Sequence, residues 1–202
     1  MGLVKRSLDL ILALTGMVLA APVLLAIYGW IRLTSPGPGL FRQARLGAGQ
    51  HDFVMYKFRT MRTDADPAVH AEYVRRMAAG EVEKVDGLYK LHQDPRVTKA
   101  GRFLRKTSLD ELPQLINVLR GEMSLVGPRP MLPFEADLIG EWALRRFEVK
   151  PGLTGLWQVN GRNKLTMDEG LRWDLEYVAT RSVRLDLRII FKTIPALLGG
   201  AR

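Results

Sequence analysis

The residues most suited to chemistry are two adjacent carboxylates, Asp110 and Glu111, in the stretch TSLDELPQLINVLRGEMSLVGPRP. Adjacent carboxylates repel each other unless a cation lies between them, and where phosphates are handled that cation is commonly a divalent metal such as Mg²⁺. An ionised aspartate can also attack phosphorus and form an acyl phosphate. The pair therefore predicts a site for a phosphorylated substrate, with a carboxylate nucleophile and a Mg²⁺ ion.

The same two residues also fit a purely structural role. Ser108 and Glu111 have the spacing of a capping box, and acidic residues in a first turn suit the positive end of a helix dipole. Pro113 argues against that role alone, because in an α-helix its ring opposes the carbonyl of Leu109 and its nitrogen cannot donate. The proline and the charges nearby favour the catalytic interpretation.

Basic residues surround the carboxylate pair. Upstream, the run 96–106 contains five cations and no acid: Arg96, Lys99, Arg102, Arg105 and Lys106. Downstream, Arg129 lies in the segment Gly-Pro-Arg-Pro, and arginines can neutralise the oxygens of a transferring phosphoryl group. The chain contains no GxxxxGK[ST] sequence, which excludes a P-loop as the phosphate-binding element.

The stretch FRQARLGAGQHDFVMYKFRTM, residues 41–61, predicts a β-hairpin around a Gly-Ala-Gly turn. The period of two places Phe53, Met55, Lys57 and Arg59 on one face of its second strand. Two cations on the same strand face could bind phosphate, or they could form a solvated edge. Substrate contacts by Lys57 and Arg59 are therefore an expectation that depends on where the hairpin packs.

The composition limits the kinds of site and partner. At 202 residues the chain is long enough for one domain with one core. It has no cysteine, which excludes disulfides and thiolate chemistry, and the three histidines (His51, His70 and His92) lack metal-ligand spacing. The net charge of +9 requires an anionic partner. Because the aromatic residues are not interleaved with the basic ones, we expect phosphorylated substrates and a lipid surface rather than nucleic acid.

The N-terminal region predicts a membrane element. No charged residue occurs from Leu10 to Ile31, about 22 residues or roughly 33 Å of helix, which is enough to cross a bilayer. Pro22 would bend this helix near its midpoint. Cations flank both ends, which favours both ends on the cytoplasmic side: Lys5, Arg6, Arg32, Arg42 and Arg45. A re-entrant and a spanning helix remain open, whereas a cleaved signal peptide is disfavoured because the apolar run continues past Ala20.

The remaining stretches predict helices. After Pro130 a helical pattern runs to about Phe147, and Thr166 with Glu169 has the spacing of a capping box that opens another helix. The final segment, RLDLRIIFKTIPALLGGAR, mixes basic, aromatic and aliphatic residues. It suits either a membrane surface or docking on the core.

Four stretches together resemble the successive motifs of the bacterial sugar transferases, the monotopic phosphoglycosyl transferases: FRQARLG, YKFRTM, GRFLRKTSLDELPQLINVLRGEMSLVGPRP and KPGLTGLWQVNGRN. The resemblance extends over essentially the whole chain. It implies the transfer of a sugar-1-phosphate from a UDP-sugar to a polyprenyl phosphate, usually undecaprenyl phosphate, with release of UMP. Such a reaction is the first membrane step in making a bacterial exopolysaccharide, capsule, O-antigen or glycoprotein.

The resemblance also implies roles for individual residues. Asp110 would be the nucleophile that forms a covalent phosphosugar intermediate, and Mg²⁺ would be held by Asp110 and Glu111. Lys57 would act with them at the catalytic centre. Together with Arg59 from the strand pattern, the expected substrate-binding residues are Arg59, Arg105, Arg129, Gln158 and Arg162.

The expected architecture is an α+β fold that is mainly helical. Residues 1–34 would form a re-entrant membrane helix, with Ala21-Pro22 at its bend where the family also uses Ser-Pro. Residues 35–202 would form one compact catalytic domain, with a small β-hairpin and amphipathic interfacial helices, on the cytoplasmic face of the bacterial inner membrane. The insertion-like stretch 63–94 has no assigned role, and a homodimer remains open.

Overall fold

The computed structural model is mainly helical, with two small sheets. It describes residues 2–85, 88–89 and 94–198, and it describes side chains as far as residue 195. The first half contains α1 (Gly2–Thr34), β1 (Leu40–Leu46), β2 (Asp52–Phe58), α2 (Ala68–Ala78), α3 (Lys99–Thr107), a 3₁₀ helix (Leu109–Gln114) and α4 (Leu115–Arg120). The second half contains β3 (Ser124–Val126), α5 (Pro133–Ala136), a 3₁₀ helix (Glu141–Glu148), β4 (Gly152–Thr154), α6 (Leu156–Asn160), α7 (Met167–Thr180) and α8 (Val183–Leu198). The expected mainly helical α+β class is confirmed. Part of the insertion-like stretch, residues 86–87 and 90–93, lies outside the described residues.

Helix α1 is continuous through Pro22 and is long and apolar enough to cross a membrane. One side packs on the rest of the protein: Ala13 joins a core cluster with Met55 and Val118, while Ile27 and Ile31 join another with Phe58 and Leu104. The opposite side exposes large apolar residues, including Leu3, Ile11, Leu14, Val18, Leu19, Leu25 and Leu33. Helix α1 therefore completes the core and also presents an apolar surface.

The predicted β-hairpin is confirmed. Strands β1 and β2 pair antiparallel from Leu40 opposite Phe58 to Leu46 opposite Asp52, and Gly49 adopts a positive φ of 63° in the connecting turn. Phe53 and Met55 are buried in the core, as period-two alternation requires. This packing brings the end of β2 towards the segment that carries the carboxylate pair.

Strands β3 and β4 pair in parallel, with Ser124 opposite Gly152 and Val126 opposite Thr154. A Cβ atom on Gly152 would overlap the backbone of Gly127, so glycine is required for this close approach. The loop that contains Arg129 and the loop that precedes α6 therefore leave the small sheet side by side.

The prediction of one continuous helix from about Pro130 to Phe147 is wrong. Helix α5 ends at Ala136, and a separate 3₁₀ helix begins at Glu141, after Gly140 in an extended conformation with φ −71° and ψ 159°. An extended residue cannot continue a helix. The capping box of Thr166 and Glu169 is confirmed at the start of α7.

Helix α8 confirms that the final segment docks on the core, whereas its contact with a membrane surface stays a prediction. Ile189 is buried against Val126 and Tyr177, so one side docks on the core. Phe191 and Ile194 are exposed on the other side. The side that faces away from the core is therefore mixed, because Arg184, Arg188 and Lys192 are exposed there beside Phe191 and Ile194.

Candidate active site

The carboxylate pair lies on a 3₁₀ helix, Leu109–Gln114, and the predicted capping box at its start is wrong. Ser108 ends α3 in the left-handed conformation (φ 56°, ψ 18°), and its side chain accepts no cap hydrogen bond. The backbone N–H of Glu111 instead donates to the carbonyl of Ser108 at 3.2 Å. In a 3₁₀ helix the hydrogen bonds join residues three apart, so Pro113 does not oppose a carbonyl four residues back as it would in an α-helix.

Glu111, on the 3₁₀ helix, forms an ion pair with Lys57 on β2. Lys57 Nζ donates to Glu111 Oε1 at 3.0 Å, and both side chains are largely buried. Burial opposes ionisation of Glu111, but Lys57, Arg129 and Arg162 outweigh it and lower the pKa of Glu111 to about 2. Glu111 is therefore ionised at any physiological pH.

The pKa of Asp110 is shifted in the opposite direction to that of Glu111. Its side chain is 9% exposed, and burial raises its pKa to about 6, with Glu111 adding to the rise and Lys57 and Arg105 opposing it. A carboxylate that has lost its water and is only partly compensated by cations is a stronger nucleophile and a better metal ligand than one in solution. The two adjacent acids thus differ in pKa, and Lys57 contributes to the difference because it hydrogen-bonds Glu111 directly.

Asn117 fixes the distance between the two halves of this site, and the sequence analysis missed it. Its side chain is fully buried; Nδ2 donates to Val54 O at 2.7 Å, and Oδ1 accepts from Tyr56 N at 3.1 Å. These bonds attach α4, which follows the carboxylate pair, to β2 just before Lys57. A buried asparagine within the apolar run LINVL was the available signal.

A small recess, open to solvent, lies beside the ion pair, and the structure brings several predicted residues to it. Its lining includes Lys57, Glu111, Arg129 and Gln158, together with Arg45, Met55, Gln114, Pro130, Gly152 and Leu153. The guanidinium of Arg129 lies 5.4 Å from the ring centroid of Trp157, a cation–π contact that holds it at the rim. The sequence analysis counted Arg45 only as a flanking charge, although it lies within the FRQARLG motif.

The other predicted arginines differ in position. Arg105 acts on Asp110 through its charge and donates from Nε to Thr60 Oγ1 at 3.0 Å. Arg162 approaches Ser108 Oγ at 3.5 Å. Arg59 follows the end of β2 and turns away, because its guanidinium donates to the backbone oxygens of Ser35 and Pro36. The structure therefore gathers the predicted site residues around the carboxylate pair, except Arg59, which holds the loop after α1.

The donor set at the carboxylate pair suits Mg²⁺. Among the described residues there is no group of three or more acidic, histidine or cysteine side chains that could bind a metal without help. Mg²⁺ usually takes one or two carboxylates, and water and substrate phosphates complete its coordination. Asp110 and the oxygen of Glu111 that is not engaged by Lys57 fit that pattern.

A buried carboxylate pair surrounded by cations, next to a long apolar helix, suits the binding of a phosphorylated substrate. Comparison with known proteins identifies the family of the chain. The model of the bacterial sugar transferases matches residues 1–200, and the chain belongs to this family.

The relatives carry consistent names. The chain is 40% identical to the exopolysaccharide production protein ExoY of Sinorhizobium fredii, over 97% of this chain and 86% of that protein. It is 42% identical to a UDP-glucose:undecaprenyl-phosphate glucose-1-phosphate transferase of Caulobacter vibrioides, over 96% of this chain and 69% of that protein. It is 40% identical to an undecaprenyl-phosphate galactose phosphotransferase of Salmonella typhimurium, over 96% of this chain and 40% of that protein. These similarities establish the chain as an enzyme of the phosphotransferase type.

Proposed function

We propose that this enzyme transfers a sugar-1-phosphate from a UDP-sugar to undecaprenyl phosphate and releases UMP. The observation that supports this proposal most is the difference in pKa between the two carboxyl groups. Glu111 is held ionised by Lys57, while Asp110 is buried and has a raised pKa. The names of the relatives supply the donor and acceptor classes. The reaction would begin the membrane stage of a glycan pathway, as the name of the exopolysaccharide relative suggests.

The chemistry follows in two balanced steps. A carboxylate oxygen of Asp110 attacks the sugar-bearing phosphorus, the bond between that phosphorus and the bridging oxygen breaks, and UMP leaves with the bridging oxygen and its electron pair. A phosphate oxygen of the lipid then attacks the same phosphorus and displaces Asp110 as a free carboxylate. Lys57, Arg105 and Arg129 would neutralise phosphoryl oxygens during both steps, which their positions near the carboxylate pair support. A bound Mg²⁺ would add charge neutralisation at the phosphates.

We propose that α1 enters the membrane from one side and returns to it. Its first turns are tied to the catalytic part: Lys5 Nζ donates to Asp186 Oδ2 at 2.7 Å, and Arg6 donates to the carbonyl of Val118. Its last turns pack through Ile27 and Ile31 on the same body. Attachment of both ends to one domain supports a re-entrant position at the cytoplasmic face of the inner membrane, with α8 at the phospholipid surface.

The decisive experiment measures UMP release from a panel of UDP-sugars with undecaprenyl phosphate and Mg²⁺. Wild type is compared with Asp110→Asn and with Asp137→Asn, a matched change at an exposed aspartate. Lipid-dependent UMP release that disappears only in Asp110→Asn is the expected result. Without lipid, the wild type should release at most about one UMP per enzyme and gain the mass of a sugar phosphate. Full activity of Asp110→Asn would refute the assignment of Asp110 as the nucleophile. Inactivity of the wild type with every donor would refute the proposed reaction.

A further inference from the structure

Two residues that line the recess beside the carboxylate pair have polar side-chain atoms with no hydrogen-bond partner in the described part of the chain. Among the described residues, Gln158 Oε1 and Arg45 Nε are buried and have no hydrogen-bond partner. Gln158 is only 9% exposed, and both residues line the recess with Lys57, Glu111 and Arg129. Buried polar atoms in folded proteins are almost always paired, so an acceptor and a donor left unpaired at one recess indicate a polar ligand.

The backbone leaves room for the Gln158 amide. A Cβ atom on Gly155 would lie 2.8 Å from Gln158 Oε1 and would overlap the carbonyl of Gly127, so the absence of a side chain makes room for the amide. Gly127 N donates to Thr154 O at 2.9 Å, which joins the loop of Gly155 to the loop that leads to Arg129. Gln158 and the predicted phosphate-binding arginine therefore have a fixed separation.

The chemistry of the recess narrows the choice of ligand group. An unpaired acceptor needs a donor, and ionised phosphate oxygens, whether on the nucleotide or on the lipid, have none. The enclosed part of the recess has room for about one water-sized group, so it fits a single small polar group of the donor and not a complete small molecule. It lies at Lys57 and Glu111, where the sugar-bearing phosphate would bind, and the uracil is separated from that phosphate by a second phosphate and a ribose.

We infer that Gln158 hydrogen-bonds a hydroxyl group of the transferred sugar and thereby selects among UDP-sugars, an inference that rests on the proposed function. A hydroxyl both donates and accepts, so it can pair with either end of the Gln158 amide, and a neighbouring hydroxyl can accept from Arg45 Nε. Sites built to bond a substrate hydroxyl reject analogues that lack it, because their own polar atoms are then left unpaired. Gln158 is accordingly a specificity residue rather than a catalytic one.

The test uses UDP-glucose, UDP-galactose, analogues of each that lack one sugar hydroxyl at a time, and UDP alone. Their affinities are measured by calorimetry on the full-length protein in nanodiscs in the Asp110→Asn background, where no turnover occurs, and kcat/KM is measured with active protein. Gln158→Met removes the amide at nearly constant length. Asn160→Leu removes an amide from the same helix outside the recess lining and serves as the control.

We expect wild type to bind one deoxy analogue roughly 10- to 100-fold more weakly than its parent. Gln158→Met should lose that discrimination and bind UDP alone as wild type does, whereas Asn160→Leu should keep it. If wild type binds every deoxy analogue as tightly as its parent, the inference is overturned. This outcome does not depend on whether the Gln158→Met variant folds. Weaker UDP binding by Gln158→Met would assign the residue to the nucleotide and also overturn it. Discrimination retained in Gln158→Met overturns this inference alone, and absence of any UDP-sugar binding overturns the proposed function with it.

Discussion

Replacing Asp110 with asparagine should stabilise the protein while abolishing its activity. Burial raises the pKa of Asp110 from 3.8 to about 6, roughly 2.2 units at about 1.36 kcal/mol each, so the ionised carboxylate destabilises the fold by about 3 kcal/mol. Asparagine keeps the shape and removes the charge, although its amide is also desolvated. We therefore expect a net gain of about 2–3 kcal/mol near neutral pH, or a rise in Tm of roughly 4–12 °C for a chain of this length.

The pH dependence of that gain has a definite sign. The unfolded chain ionises Asp110 near 3.8 and the folded protein near 6, so the destabilisation is absent below about 3.8, grows between these values and is complete above about 6. The advantage of Asp110→Asn should therefore fall to about half near pH 5 compared with about pH 7.5. If the stabilities of wild type and Asp110→Asn changed equally with pH, the pH dependence would belong to groups other than Asp110.

The assay is thermal unfolding in nanodiscs with EDTA, at both pH values, for wild type, Asp110→Asn and the exposed control Asp137→Asn. The reasoning is refuted if Asp110→Asn is no more stable than wild type near pH 7.5, because burial of the charge would then carry no penalty. Adding Mg²⁺ should raise the Tm of wild type and leave Asp110→Asn almost unchanged. An equal rise in both proteins would show that Asp110 does not hold the metal.

Three further predictions concern the same site. In single-turnover UMP release, the rate should increase as pH rises through about 6, where Asp110 ionises, and then level off; a rate independent of pH from 5 to 8 would contradict its role as the nucleophile. Lys57→Met should leave Glu111 buried without its partner and destabilise the protein by about 2–4 kcal/mol in urea unfolding, whereas Arg62→Met, at a pair more than half exposed, should cost about 1 kcal/mol or less. Asn117→Ala should cost about 2–4 kcal/mol, because two backbone groups of β2 lose their partner, and an unchanged urea midpoint would show that the asparagine does not join α4 to the hairpin.

Local patterns predicted the elements whose causes are local. The hairpin followed from two extended runs around Gly-Ala-Gly, and the start of α7 followed from Thr166 and Glu169, residues three apart that satisfy each other. Both features depend on bonds between near neighbours in the chain. The sequence therefore contained all the information that was needed to place them.

The errors arose where a distant partner competes with a local one. Glu111 has the spacing to cap a helix with Ser108, but Lys57, 54 residues earlier, takes its carboxylate, and the left-handed Ser108 turns the chain into a 3₁₀ helix instead. Arg59 has the right alternation to join Lys57, but the backbone oxygens after α1 bind its guanidinium. Neither competition is visible in a window of neighbouring residues. The sequence predicted most of the residues that gather around the carboxylate pair, while the ion pairing required the three-dimensional packing.

Helix α1 is not a detachable anchor. Ala13 packs between the hairpin and α4, and Ile27 and Ile31 cover Leu104, so a shortened, water-soluble form would open the interior on which the Lys57–Glu111 pair rests. Folding of the catalytic part therefore depends on where α1 lies. We expect detergents and bilayers of different thickness that shift α1 to alter catalysis as well as solubility.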